Sequence, residues 1–308
     1  RRMVGSRSTF VVSDAQRAHR VRIVPMRAPG VCNCRGLVVN LPAGKSLRLE
    51  LDSSTSGIIL KPQAAKHIGL NPRSSDCAAG DPNCGRWAWI DSFRIGTLEF
   101  RDCPVQIREH PALGDADGTI GIDVFKMFLI KLDFPRDQID LSPLASTHAA
   151  AVMAAYLPSW PEEDASRIPP QSSAIKFLLL ADRLMVPVFA GADARGYFLF
   201  EPRLAANLLT SKFASLLRLS VHDPEHTTAG VRVPYRVFGE VLEHSGAALR
   251  FGAIEQQNPV HYVYDGALDE QRVGVRIAGH LGVPKRADFT VTLNYRDPKH
   301  DAGGGHNA

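Results

Sequence analysis

The sequence has no apolar run long enough to cross a membrane. Two of its apolar stretches, 177–181 and 184–190, are split by Asp182 and Arg183, where a spanning helix needs about 20 consecutive apolar residues. The 11 histidines include no HExxH pair, so the helix-borne zinc site of metallopeptidases has no support. The 5 cysteines form neither two CxxC pairs nor a Cys/His pattern with zinc spacing. Ser172 and Ser173 lie in the Pro-rich stretch PEEDASRIPPQSSA, which reads as linker and not as a nucleophile elbow. Acids are nearly missing from the first 35 residues, where eight arginines (1, 2, 7, 17, 20, 22, 27 and 35) stand against Asp14 alone. Aromatics are missing there too, Phe10 excepted, so this basic stretch lacks the interleaved rings of a nucleic-acid binder. Residues 1–36 are expected to form a peripheral basic arm, and neither a nucleic-acid partner nor a membrane span is expected.

What is present is a folded-protein composition and an internal correspondence. With 44% hydrophobic and 22% charged residues over 308 positions and a net charge of +4, the chain can bury two cores of ordinary domain size. LRLELDSSTSGIILKPQAAKHIGL, from Leu47 to Leu70, lies over GYFLFEPRLAANLLTSKFASLLRL, from Gly196 to Leu219, without a gap. Each reads as an alternating apolar strand ending in an acid, a short turn, a second apolar strand and a small-residue helix. The acids are Asp52 and Glu201, 149 positions apart. Further on, DGTIGIDVFKMFLIKLDFP overlays the segment that begins IAGHLGVPKRADFTVTLNY, with Gly118 on Gly279 and Gly121 on Gly282. A period of about half the chain predicts two similar lobes and not a solenoid.

These residues resemble the pepsin-like and retropepsin-like aspartic peptidases, in particular the tandem bacterial versions with two lobes in one chain. In that family each lobe carries Asp-Thr/Ser-Gly at a strand end and later an apolar-apolar-Gly segment that crosses behind the loop. Here the first lobe offers Asp52-Ser53-Ser54-Thr55-Ser56-Gly57 and Thr119-Ile120-Gly121. The second offers Glu201-Pro202-Arg203-Leu204 and His280-Leu281-Gly282. The resemblance covers residues 37–300 and implies an all-β fold, two pseudo-symmetric acid-protease β-barrel lobes with a cleft between them and a few short helices. It implies Asp52 and Glu201 as catalytic carboxylates, with Ser53, Ser54, Gly57, Gly121 and Gly282 supporting their loops. Trp87 and Trp89 fall where the family places its substrate-covering flap, though two tryptophans on one strand face also suit simple packing. The implied partner is a peptide or protein, bound by a monomer without cofactor or metal, because the second lobe supplies what a second copy otherwise would.

The chemistry of such a site is peptide-bond hydrolysis by a carboxylate-activated water. Two carboxylates a few ångströms apart share a proton; the ionised one activates the water and the protonated one polarises the scissile carbonyl. Measured against that need, Ser54 stands where the family has Gly. In the second loop Glu201 is one methylene longer, Pro202 lacks a hydroxyl and a backbone N–H, and Arg203 brings bulk and positive charge. Two readings stay open: an active aspartic endopeptidase with an impaired second loop, or a catalytically inactive homologue that binds extended peptide in the inter-lobe cleft. Outside the family reading, Asp52 would be a solvated turn residue capping the following helix, and Glu201 a surface acid paired to Arg203.

Lesser features complete the expectations. Cys77 and Cys84 flank the turn AAGDPN; in a periplasmic or secreted protein they would form a loop disulfide, and in a reducing compartment they would be thiols. Asp115, Asp117 and Asp123 resemble part of a calcium loop, but the far-end ligand is absent and the spacing fails. The expected boundaries are 1–36 arm, 37–145 first lobe, 146–174 linker, 175–300 second lobe, and 301–308 a disordered Gly-rich tail.

Overall fold

The computed structural model of the chain describes residues 10–26, 34–72, 86–109, 115–144, 177–180, 183–191, 194–219, 221–222, 237–241, 248–251, 254–256, 261–283, 289–293 and 295. The expected linker, the Gly-rich tail, the Cys77–Cys84 turn and Ser172–Ser173 lie outside the described residues.

The chain is all-β with short helices. Its first strands are β1 (Val11–Val12), β2 (His19–Arg22), β3 (Val24–Pro25), β4 (Arg35–Asn40), β5 (Ser46–Asp52), β6 (Ile58–Leu60), β7 (Arg86–Ile95), β8 (Leu98–Ile107), β9 (Gly118–Gly121), β10 (Phe128–Asp133) and β11 (Gln138–Pro143). There follow β12 (Leu178–Leu180), β13 (Arg183–Ala190), β14 (Ala194–Glu201), β15 (Asn207–Thr210), β16 (Val221–His222), β17 (Val237–Val241), β18 (Leu249–Phe251), β19 (Ile254–Gln256), β20 (His261–Tyr264), β21 (Gly279–Gly282) and β22 (Thr290–Leu293). The helices are α1 (Pro62–His67), α2 (Ser211–Leu216) and α3 (Ala267–Val273).

Two compact units result. One holds the described residues up to 144 together with 289–295, and the other those from 177 to 283. In the first, strands run in the order β8-β6-β9-β5-β4 within one sheet; in the second the order is β20-β15-β21-β14-β13. In both, the late strand lies between the two strands of the acidic segment, parallel to one and antiparallel to the other.

The local sequence explains these elements. Ser46–Asp52 alternates at its start and becomes buried on both faces at its end, and β5 runs between β4 and β9, so both of its edges are paired as well. Pro62 opens α1 at a position where the missing N–H costs nothing. Thr210 caps α2 by accepting from the Phe213 N–H at 3.3 Å.

The first unit's core is aromatic. Phe93 and Phe100 stack with ring centroids 4.8 Å apart, and Phe125 meets Phe100 edge-on at 5.9 Å; all three are buried. Phe100→Ala removes the ring shared by both contacts, so urea unfolding is expected to show a loss of about 3–5 kcal/mol.

The expected boundaries differ from the observed ones at both ends. Part of the basic stretch expected to be a peripheral arm is woven into the first unit: His19–Arg22 pairs with β11, and Phe10, Val21 and Ile23 are buried. His19 and Val21 point inward while Arg20 and Arg22 face solvent, so the arginines are the charged face of an edge strand. Arg20 pairs with Asp140 at 2.8 Å, and Arg35 with Asp137 at 3.2 Å while lying over the Phe134 ring. At the other end, β22 leaves the second half of the sequence and pairs with β10 of the first unit. Short strands that return from far along the chain carry no local signal of their partner.

Candidate functional site

The two acidic loops sit at equivalent points of their units. β5 delivers Asp52 at its last residue, in parallel register with Gly121; β14 delivers Glu201 at its last residue, in parallel register with Gly282. Both acids are buried, Asp52 at 1% and Glu201 at 0% exposure. Neither is a surface residue, which corrects the alternatives of a solvated turn Asp and a surface Glu. Nor does Asp52 cap a helix, since α1 begins ten residues on, at Pro62, after an N-cap Lys61.

The first loop wraps its own carboxylate. Asp52 Oδ1 accepts from the Ser54 N–H and the Ser54 hydroxyl, both at 2.7 Å, and Oδ2 accepts from the Thr55 hydroxyl at 2.6 Å. Ser54, which stands where the resembled motif has Gly, is therefore a donor to Asp52, and Ser53 is buried beside it. Gly57 adopts φ +68°, the left-handed region where a side chain is strained. Its N–H donates to both Asp123 oxygens at 3.0 and 3.1 Å, while the Ser56 hydroxyl donates to Asp123 Oδ2 at 2.9 Å. Gly121 N–H donates to Gly57 O at 2.7 Å, and a Cβ on Gly121 would run into Thr55 O and the Asp123 carboxylate.

The second loop is organised around an ion pair. Arg203 Nε donates to Glu201 Oε1 at 2.9 Å and an Arg203 terminal nitrogen donates to Oε2 at 3.3 Å, a two-pronged contact with the guanidinium 6% exposed. A bidentate guanidinium stabilises the ionised carboxylate and fixes its plane. Closure on the glycine segment uses other groups: Gly282 N–H donates to Asn207 Oδ1 at 3.0 Å, Asn207 Nδ2 donates to Gln256 Oε1 at 2.8 Å, and the Val283 N–H donates to Leu204 O at 2.8 Å. A Cβ on Gly282 would strike Ala206 O.

Thr55, Asp123 and Asn207 were not among the expected site residues. A hydroxyl three residues after a turn Asp is a recognisable signal, but Asp123 and Asn207 act across the strand crossing and have no such mark. Asp115 and Asp117 serve elsewhere: Asp115 pairs with the Arg48 guanidinium at 2.7 Å, and Asp117 Oδ2 accepts from the Arg48 N–H at 2.8 Å. The three aspartates of the calcium-like segment thus have separate tasks, and the described residues contain no group of three or more potential metal ligands.

Trp87 and Trp89 lie on one face of β7, half-buried, with Ala88 and Ile90 buried on the other face. β7 pairs with β8 along its length, whereas its other edge pairs, among the described residues, only at Arg94 with Asn40. Of the cysteines, Cys103 is buried and free, its thiol pushed up to about 12 by burial, with Asp102 adding to it. Cys34 is disulfide-bonded. No helix among the described residues is long and apolar enough to cross a membrane.

No protein-family model and no curated protein matches the chain. Among solved structures it is similar to a retropepsin-like aspartic protease from Rickettsia conorii, at 18% identity over 43% of this chain and 93% of that one, with a TM-score of 0.29. It is also similar to conglutin gamma from lupine seeds, at 8% identity over 91% of this chain and 93% of that one, TM-score 0.45. Basic 7S globulin from soybean gives 9% identity over 90% and 92% of the two chains, also with a TM-score of 0.45. At these identities and scores the likenesses carry no statement about activity.

Proposed function

We propose that the chain is an aspartic-peptidase-type protein that binds extended peptide and has lost hydrolysis. The observation that carries this reading is the buried two-pronged ion pair of Arg203 with Glu201. Proton sharing between two carboxylates needs one of them to be protonated readily, and a guanidinium held against both Glu201 oxygens opposes that. Pro202 also removes the hydroxyl and the N–H that the family motif offers at this point. Misplacing a catalytic group by about 1 Å can cost roughly a hundredfold in rate, and the longer, tethered Glu201 is a larger change than that.

The binding half rests on β7, whose edge from Arg86 to Phe93 has no described partner and whose Trp87 and Trp89 offer half-buried aromatic surface. An extended peptide would add there as a further strand, with backbone hydrogen bonds supplying affinity and the tryptophans selectivity. A second reading, residual hydrolysis, is favoured by one observation: Asp52 keeps a full set of hydroxyl and N–H donors from its own turn.

Calorimetric titration with a transition-state-mimicking peptide inhibitor of aspartic peptidases separates the halves. Binding is expected for the wild type, unchanged in Arg203→Met if that variant folds, and weakened in Trp87→Ala/Trp89→Ala. Absence of binding to the wild type would remove the peptide reading.

A further inference from the structure

The second unit holds a buried charge cluster that neither acidic loop uses. Asp269, in the first turn of α3, is 1% exposed. Its carboxylate accepts from His280 Nε2 on β21 at 3.0 Å and from the Tyr264 hydroxyl on β20 at 3.2 Å, both on Oδ2. Oδ1 faces the Arg183 guanidinium on β13 at 3.5 Å. His280 is fully buried, and its ring meets the Tyr264 ring edge-on at 5.4 Å. The neighbouring acid of α3, Glu270, points the other way, toward the exposed Lys212 of α2 at 3.3 Å.

Among the described residues, α3 has few other fastenings. It spans 7 residues, between Gly266 and Gly274, both at φ +76°, and a helix that short is not stable on its own. Its apolar hold is a small cluster in which Val273 and the following Ile277 pack with Met185 and Leu199. The carboxylate of Asp269 thus ties α3, β20, β21 and β13 together. β21 in turn sets Gly282 against Glu201.

We propose that Asp269 is an acid-released latch: protonation of its carboxylate frees α3 from β21 and β13 before the second unit as a whole unfolds. Once the anion is neutralised, Arg183 loses the carboxylate that faces it, and the His280 and Tyr264 hydrogen bonds lose their charged acceptor. Burial pushes the Asp269 carboxyl up, but the His280 hydrogen bond, the His280 and Arg183 charges and the Tyr264 hydroxyl outweigh it and hold the group below its ordinary 3.8. A depressed folded-state value means that the stabilisation is present above the unfolded value and is lost as pH falls through the folded one. The latch therefore opens only on the acid side of 3.8.

Hydrogen exchange of the full chain at about pH 6 and about pH 3, corrected for intrinsic exchange, tests this. α3 amides are expected to lose protection several-fold at the lower pH, by up to about sevenfold for one carboxyl with an unfolded value of 3.8, while β13–β14 amides keep theirs. Asp269→Asn is expected to show the unlatched α3 already at the higher pH. The proposal is overturned if α3 keeps its protection in acid, if α3 and β13–β14 lose it in one step, or if folded Asp269→Asn protects α3 as the wild type does. Should Asp269→Asn fail to fold, the wild-type comparison decides alone.

Discussion

Arg203→Met is expected to destabilise the second unit by about 3–5 kcal/mol, read as a shifted midpoint in urea unfolding. Methionine keeps most of the volume and removes the charge, so the loss reports the Glu201 carboxylate left buried beside its missing partner, and not a cavity. The double variant Glu201→Leu/Arg203→Met removes both charges and is expected to recover most of that loss, because a buried ion pair stabilises little relative to a well-packed apolar pair. A single variant as stable as wild type would mean that Glu201 does not depend on the guanidinium. The proposed loss of hydrolysis would then lack its support in the ion pair.

Gly121→Ala and Gly282→Ala are each expected to cost at least about 3 kcal/mol, at the upper end of what overpacking produces. At both positions the added Cβ strikes backbone atoms: Thr55 O in the first unit, Ala206 O and Leu204 O in the second. Backbone on both sides of a strand crossing cannot rotate away as a side-chain end can. Gly274→Ala is the control. A Cβ there meets nothing within 4 Å, and the residue sits at φ +76°, so only the left-handed backbone penalises it, by about 1–2 kcal/mol. Comparable losses at all three positions would show that close approach is not what requires glycine at the two crossings.

The parts of the site legible in the sequence were those fixed by such crossings. Gly118, Gly121, Gly279 and Gly282 stand at register positions opposite β5 and β14, and a strand that must pass behind a loop leaves glycine as its mark. Arg203 was legible as a charge beside Glu201. Its depth was not, because burial comes from strands that pack over it from elsewhere in the chain. Ser54 was legible only as a departure from the resembled motif's Gly, whereas it donates twice to Asp52. The Asp269 cluster left no trace, since residues 183, 264, 269 and 280 meet only after the sheet has formed. β2 and β22 were illegible for a similar reason, being short edge strands whose partners lie more than a hundred residues away.

If the second loop prevents hydrolysis, Glu201→Asp/Pro202→Ser/Arg203→Gly should show peptidase activity above that of the wild type. The most direct test is simpler: cleavage of a denatured protein from about pH 3 to 7, by wild type and by Asp52→Asn. Equal and negligible cleavage by the two proteins is predicted. Robust cleavage by wild type that Asp52→Asn abolishes would contradict the account.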